Sequence, residues 1–327
     1  MKLAIVGSGM IVNDFLPSAG EISNLTLAAI VGLPAEREKL EELSQQHRID
    51  EVYVDFEECL ADPAVDTVWV AVPNSLHMTF ARRALLSGKH VICEKPFVLT
   101  VDDLVELRKL ADERDLILVE GITTLYLSNY RWIVENLSSL GDVRLVQSEY
   151  SQYSSRYPAF LDGQVLPAFD PTMGGGALMD IGIYTLHFVV GLLGRPRSIR
   201  YTANVERGVD TSGVVVLEYA NSTAICVCAK DSAGPIRSKI QGNDGTIVVE
   251  GPPNACESVT VELRGQDAET IDLKIHPHRM VEEFRAFERM IRESDLVERD
   301  ARLDHSQLVL ELATEALASA GIRLGPA

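Results

Sequence analysis

Along the first 120 or so residues, short apolar runs alternate with longer stretches in which apolar positions recur every three or four residues. The runs at 2–6 (KLAIV), 25–31 (LTLAAIV), 51–54, 66–72 (DTVWVAV), 90–93 and 116–120 are rich in β-branched residues and predict strands. Between several of them, 34–47, 75–88 and 100–115 carry the helical period. Strands alternating with helices predict βαβ units around a parallel sheet. The nearly continuous apolar character of the strands fits a sheet covered on both faces. Ser75 and Thr100 stand where N-caps belong, Asp103 completes a Thr-x-x-Asp box, and Gly88 stands where a left-handed C-cap belongs.

From about residue 122 the rhythm changes. A helical stretch at 129–141 leads into a strand at 143–153, and six more strands are predicted at 197–206, 213–220, 223–231, 237–242, 245–251 and 258–264. Turn signals such as Asn243-Asp244-Gly245 separate them, which predicts a predominantly antiparallel sheet. Two helices, near 279–293 and 304–320, close the pattern. A chain of 327 residues favours two domains. The expected architecture is α/β plus α+β. Residues 1–121 form a doubly wound parallel sheet, and 122–327 an open, mostly antiparallel sheet with flanking helices.

Composition narrows the classes. With 46% hydrophobic and 24% charged residues the chain is ordinary globular protein. No uninterrupted apolar run approaches the roughly 20 residues that a spanning helix needs. The glycines in MKLAIVGSGMIV interrupt what would otherwise resemble a leader, so a cytoplasmic protein with no membrane partner is expected. Thirty basic against 48 acidic residues, net −18, argue against a nucleic-acid partner. The five cysteines show no zinc spacing and are expected to be buried thiols, Cys226 and Cys228 on one side of a strand; no metal site is expected.

Chemistry enters at GSGMIV, directly after the first strand. Gly7 permits a sharp turn, Gly9 lets backbone approach a pyrophosphate, and Ser8, Met10 and Ile11 line the same turn. The third glycine of the dinucleotide fingerprint is replaced by Val12, so the reading rests on the βαβ context. Cofactor choice is read at the end of the second strand, at Val31, Gly32, Leu33 and Pro34. No carboxylate stands there for a ribose hydroxyl, and Arg37 lies one helical turn later. The missing acid tilts towards NADP, and NAD or NADP stays undecided. Ala71, Val72, Pro73 and Asn74 end the fourth strand and Glu94, Lys95 and Pro96 the fifth, at the strand ends where open α/β sheets bind ligands. In isolation Glu-Lys-Pro is as well a solvated turn.

A second candidate is GGGALMDIGIYTLHF, residues 174–188. Asp180, Tyr184 and His187 stand at i, i+4 and i+7, so a regular helix would aim all three one way. The alternative is that they are satisfied core residues.

The order and spacing of GSGMI, AVPNSLH, GKHVICEKPFVLT and GGGALMDIGIYTLHF resemble the glucose–fructose oxidoreductase / inositol dehydrogenase / MocA family of NAD(P)-dependent enzymes over essentially the whole chain. The resemblance implies a Rossmann cofactor domain followed by a substrate-binding and oligomerisation domain. Cofactor contacts are implied at Gly7, Ser8, Gly9, Met10, Ile11, Leu33, Arg37, Ala71, Val72, Pro73, Asn74, His77, Glu94, Lys95 and Pro96. It also implies that Lys95 meets cofactor and substrate hydroxyl, that Asp180 orients the substrate, and that Tyr184 is the acid/base where most members carry histidine. Lys95 and the Asp180 face are implied to meet across a cleft, with the three glycines letting the backbone pass beneath the nicotinamide. His187 is implied to contact substrate.

Chemistry agrees with that implication: a phenol is a poor base at neutral pH, and an adjacent ammonium favours its phenolate. The chain departs from many relatives after LILVEG, where an aromatic–Arg pair is missing. Thr123, Thr124 and Tyr126 are expected to supply substrate contacts instead, and Phe169 and Met173 either narrow the pocket or pack. His276 and His278 form a two-histidine pair without a third ligand, and helix initiation near Arg279 is the preferred reading. The implied activity is hydride exchange between a nicotinamide and a hydroxyl-bearing carbon of a sugar, polyol or cyclic diol. The competing readings are a nucleotide-binding regulator without turnover and a redox-neutral enzyme with tightly held NAD. Alternating apolar residues in GVVVLEYA and TAICVCAK predict a homodimer or homotetramer through the second sheet.

Overall fold

A computed structural model of the chain describes residues 1–324. They form two compact units. The first comprises Met1–Gly121 with Met280–Asp304, and the second Ile122–Arg279 with His305 onward. The expected division assigned 280–304 to the second domain, and this is corrected here. The reason lies in α9 (Met280–Glu293), whose apolar face belongs to the first core. Phe284 stacks on Phe15 at 4.0 Å between ring centroids and stands edge-on to Trp69 at 5.1 Å. Arg299, in α10 (Leu296–Ser319), reinforces this by donating to Asp112 and to the carbonyl of Leu116.

The first unit is built on β1 (Lys2–Val6), β2 (Thr26–Val31), β3 (Glu51–Tyr53), β4 (Thr67–Val70), β5 (His90–Glu94) and β6 (Leu118–Gly121). All pair in parallel in the order β3-β2-β1-β4-β5-β6. The order reverses between β1 and β4, the switch point where such sheets hold ligands. Every residue of β4 is buried, as expected of a strand covered on both faces. The helices are α1 (Met10–Phe15), α2 (Arg37–His47), α3 (Phe56–Ala61), α4 (His77–Leu86) and α5 (Val101–Asp112). Thr100 caps α5 by accepting from the Asp103 amide at 3.1 Å. Ser75 does not cap α4, because a 3₁₀ turn at Asn74–Leu76 intervenes and the α-helix begins at His77.

The second unit carries β7 (Val143–Ser151), β8 (Ser198–Glu206), β9 (Val209–Glu218), β10 (Thr223–Ala229), β11 (Arg237–Gly242), β12 (Gly245–Glu250), β13 (Ser258–Leu263) and β14 (Glu269–Ile271). Their order is β14-β13-β12-β11-β7-β10-β9-β8, antiparallel except for the β7/β10 pair. α6 (Ser128–Asn136) and α7 (Tyr157–Leu161) precede and follow β7, and α8 (Ile183–Leu193) packs on β7 and β10. Ala224, Cys226 and Cys228 alternate inward along β10, and the Cys226 thiol lies 3.4 Å from the Thr185 carbonyl of α8. Burial pushes the Cys226 thiol up to about 12, which keeps it protonated and unreactive. Among the described residues, Pro171–Leu193 alone is long and apolar enough to cross a membrane, with mean hydropathy 1.6; 72% of it is buried in the fold. Its apolar character is that of a core segment.

Candidate active site

In the first unit the loop after β1 is shaped by its glycines. Gly7 has φ +114°, its amide donates to the Val31 carbonyl at 2.8 Å, and any Cβ would collide with the Ala71 carbonyl. Gly9 caps α1 from an extended conformation, and a Cβ built on it meets nothing within 4 Å. Met10, next to it in the chain, and Leu33, just after β2, are 71% and 67% exposed. An open glycine and two exposed apolar side chains on the loops after β1 and β2 fit a ligand that covers them, as a dinucleotide does. Val12, at the third-glycine position, is buried.

The end of β2 corrects one expectation. A carboxylate is present there, brought back from Glu36 by a 3₁₀ turn at Pro34–Glu36. Its Oε2 accepts from the Leu33 amide at 3.0 Å and its Oε1 from the Ser8 hydroxyl at 3.0 Å. The hydrogen bond from Leu33 holds the Glu36 carboxyl below its usual range, with Ser8 and Lys39 acting in the same direction against partial burial. Lys39 donates to the Ser8 carbonyl at 2.5 Å and to its hydroxyl at 2.9 Å. Arg37 instead pairs with Glu41 along α2 at 3.4 Å, both side chains half exposed.

At the ends of β4 and β5 two of the expected cofactor contacts are engaged by protein. The His77 ring is wholly buried, with Nε2 2.9 Å from the Val72 carbonyl and Nδ1 2.9 Å and 3.2 Å from the carbonyls of Pro96 and Phe97. It pins the turn after β4 to the turn after β5, so it positions the loops instead of presenting a side chain to a ligand. Burial lowers its pKa, with the surrounding carbonyls opposing. Glu94 is buried too, and its Oε1 accepts from the Trp69 indole at 3.1 Å. Lys95 is half-buried at the end of β5 and precedes a cis peptide to Pro96, while the Phe97 amide donates to Glu120 at 3.0 Å. Pro73 and Asn74 lie in the partly exposed turn before α4.

In the second unit the glycine segment is packed against its own fold. A Cβ on Gly175 would lie 2.5 Å from the Pro167 carbonyl and 2.6 Å from the Asp170 amide, and one on Gly176, at φ +124°, would collide with the Asp210 carboxylate. Asp210 is buried and accepts from the Leu178 amide at 2.7 Å and the Tyr201 hydroxyl at 2.8 Å. The closeness required of Gly175 and Gly176 is therefore to protein of their own unit.

The segment that follows is not a regular helix. Leu178–Gly182 is a π-helical turn that leads into α8, so the i, i+4, i+7 geometry does not hold across Asp180. The Asp180 side chain is 31% exposed, and its Oδ2 lies 2.7 Å from the ammonium of Lys230. That lysine side chain is 3% exposed, donates to the Ala168 carbonyl and stands 4.2 Å over the Phe169 ring. Tyr184 is 8% exposed, with its ring 6.2 Å from that of Tyr150. His187 is buried, with Nδ1 3.0 Å from Nε2 of His305 on α10.

Thr123, Thr124 and Tyr126 are all buried; the Thr123 hydroxyl donates to the Asn254 carbonyl at 3.1 Å, and that of Thr124 has no hydrogen-bond partner among the described residues. Phe169 packs with Phe160 and Val209, so of its two expected roles it takes packing, and Met173 is half-buried beside the segment. Lys230 and Glu36 are the polar residues that sequence reasoning passed over.

Comparison with known proteins places this geometry. Residues 1–122 match the model of the oxidoreductase family with an NAD-binding Rossmann fold, and 136–248 match the GFO/IDH/MocA C-terminal domain. The chain is 33% identical over 323 residues to scyllo-inositol 2-dehydrogenase (NADP(+)) IolU of Bacillus subtilis, covering 98% of each. It is 29% identical to a trans-1,2-dihydrobenzene-1,2-diol dehydrogenase of Danio rerio over 71% of this chain and 72% of that one. Among solved structures, a 3-ketoreductase from Actinomadura kijaniata in complex with NADP and TDP-benzene superposes with a TM-score of 0.81 at 22% identity, covering 98% and 97% of the two chains. An aldose–aldose oxidoreductase from Caulobacter crescentus gives 0.79 at 24% identity, over 98% and 97%. These likenesses show the fold. The chain belongs to the GFO/IDH/MocA family of NAD(P)-dependent oxidoreductases.

Proposed function

We propose that this oxidoreductase acts on a hydroxyl-bearing carbon of a polyol, sugar or cyclic diol, with Lys95 and Tyr184 as the proton-transfer pair and Asp180 as the residue that holds substrate hydroxyls. The observation that carries the reading is the ion pair of Asp180 with Lys230. A buried ammonium fixes a carboxylate that is still partly exposed, which is how a hydroxyl acceptor is built and a poor way to fill a core. The names of the relatives, an inositol dehydrogenase and diol dehydrogenases, support the substrate class.

A bound nicotinamide would supply hydride exchange at its C4. The loop of Gly7, Ser8 and Gly9, with Met10 and Leu33, would hold the dinucleotide. As the carbinol C–H bond breaks, the hydroxyl proton must leave as well, and Tyr184 takes it. The Lys95 ammonium favours the phenolate that does so. Asp180 accepts hydrogen bonds from the substrate and fixes which hydroxyl meets the phenol. The test is oxidation of scyllo-inositol with NAD⁺ or NADP⁺, followed by nicotinamide absorbance and extended to other polyols and cyclic diols. Lys95→Ala and Tyr184→Phe should each lower kcat by roughly 10²–10⁴ with the unfolding temperature retained. Near-wild-type turnover in either variant overturns the pair.

A second copy of the chain is proposed to cover the outer face of the second sheet, where Val214, Val216, Ile225 and Val227 alternate half-buried. A monomer by light scattering at micromolar concentration would refute it.

A further inference from the structure

The residues that meet at the end of β2 bear on which dinucleotide binds. Glu36 is anchored at both oxygens, one to the strand end through the Leu33 amide and one to the middle of Gly7-Ser8-Gly9 through the Ser8 hydroxyl. A carboxylate at this position of a doubly wound sheet accepts a hydrogen bond from the ribose 2′-hydroxyl, whereas a 2′-phosphate calls for an arginine. The residues at the strand end itself, Leu33 and Pro34, carry no charge. Of the nearby cations, Lys39 shares the Ser8 hydroxyl with Glu36, and its charge is balanced there by that carboxylate, while Arg37 pairs with Glu41.

We infer that the protein discriminates in favour of NAD(H) over NADP(H), and that Glu36 is the discriminating residue. An ionised carboxylate accepts from the 2′-hydroxyl of NAD and meets the 2′-phosphate of NADP as a like charge. The same group thus attracts one cofactor and repels the other. Lys39 donates to the Ser8 carbonyl and hydroxyl, and the same hydroxyl donates to Glu36. In this respect the chain departs from the relative of Bacillus subtilis that is named for NADP(+).

The test is equilibrium titration of the full chain with NADH and with NADPH, followed by nicotinamide fluorescence, and needs no substrate. The wild type should bind NADH at least about tenfold more tightly. Glu36→Gln should weaken NADH and strengthen NADPH, closing most of that gap, and Lys39→Met should leave the ratio unchanged. Glu36→Asp, which keeps the charge and loses the reach, should weaken NADH without strengthening NADPH. If Glu36→Gln does not fold, competition on the wild type between AMP and its 2′-phosphorylated form, with Glu36→Asp alongside, decides the matter. The inference is overturned if the wild type binds NADPH as tightly as NADH or more so. It is also overturned if Glu36→Gln shifts both affinities alike, which would make Glu36 a loop brace. Selective loss of NADPH in Lys39→Met would overturn it too, by showing that Lys39 holds the phosphate.

Discussion

Gly7-Ser8-Gly9 and Gly174-Gly175-Gly176 look alike on paper, since each is a glycine turn leading into a helix. They differ in what occupies the space a side chain would take. Above Gly9 there is nothing within 4 Å, whereas at Gly175 a carbonyl and an amide of the same unit stand at 2.5 Å and 2.6 Å, and at Gly176 the buried Asp210 carboxylate fills the space. A glycine reports a close approach. Whether the approaching group is the protein itself depends on the rest of the fold: Gly7, Gly175 and Gly176 face their own unit, and Gly9 alone of these four leaves the space open.

Substitutions at Gly176, Lys230, Asp180 and Gly9 test this difference. Gly176→Ala combines a positive φ with a collision against a carboxylate held by two hydrogen bonds, and should cost roughly 3 kcal/mol in urea unfolding. An unchanged midpoint would mean that Asp210 is free to move and the second turn is not a packing device. Lys230→Met should cost roughly 2 kcal/mol, less than the ~3–5 of a fully buried pair because Asp180 is partly exposed. Adding Asp180→Asn should restore part of that loss, and cofactor affinity should not change in either variant. Stability losses that simply add would show that the two groups act independently. Gly9→Ala should leave stability within about 0.5 kcal/mol, since its conformation is extended and its Cβ side is open. Dinucleotide affinity should nevertheless fall on the order of tenfold, where Cβ takes space meant for the pyrophosphate. Unaltered affinity would make the first turn as structural as the second.

Features decided by a few neighbouring residues were legible in the sequence. The Thr100–Asp103 cap is one, because donor and acceptor are three residues apart on a helix start. The strands of both sheets are another, because period and burial coincide along them. Glu36 was legible in principle: it stands three residues after Leu33, the spacing of a capping box, but attention to the strand end alone passes it over. Lys230 was not, since its partner Asp180 lies fifty positions earlier, and the available signal was one basic residue closing an apolar strand. The π-helical turn at Leu178–Gly182 has no local signature that separates it from the α-helix it enters. His187, read as part of a polar face, instead meets His305, a partner that no periodicity reveals.

The return of Met280–Asp304 to the first unit has a consequence for biosynthesis. The amino-terminal strands leave the ribosome first, yet the aromatic stack of Phe15 and Trp69 waits for Phe284, more than two hundred residues later. Domains usually mature in the order of their synthesis. Here the sheet is completed only once Met280–Asp304 has been synthesised, and until then it holds an uncovered aromatic surface, which is the period in which a chaperone would have most to do.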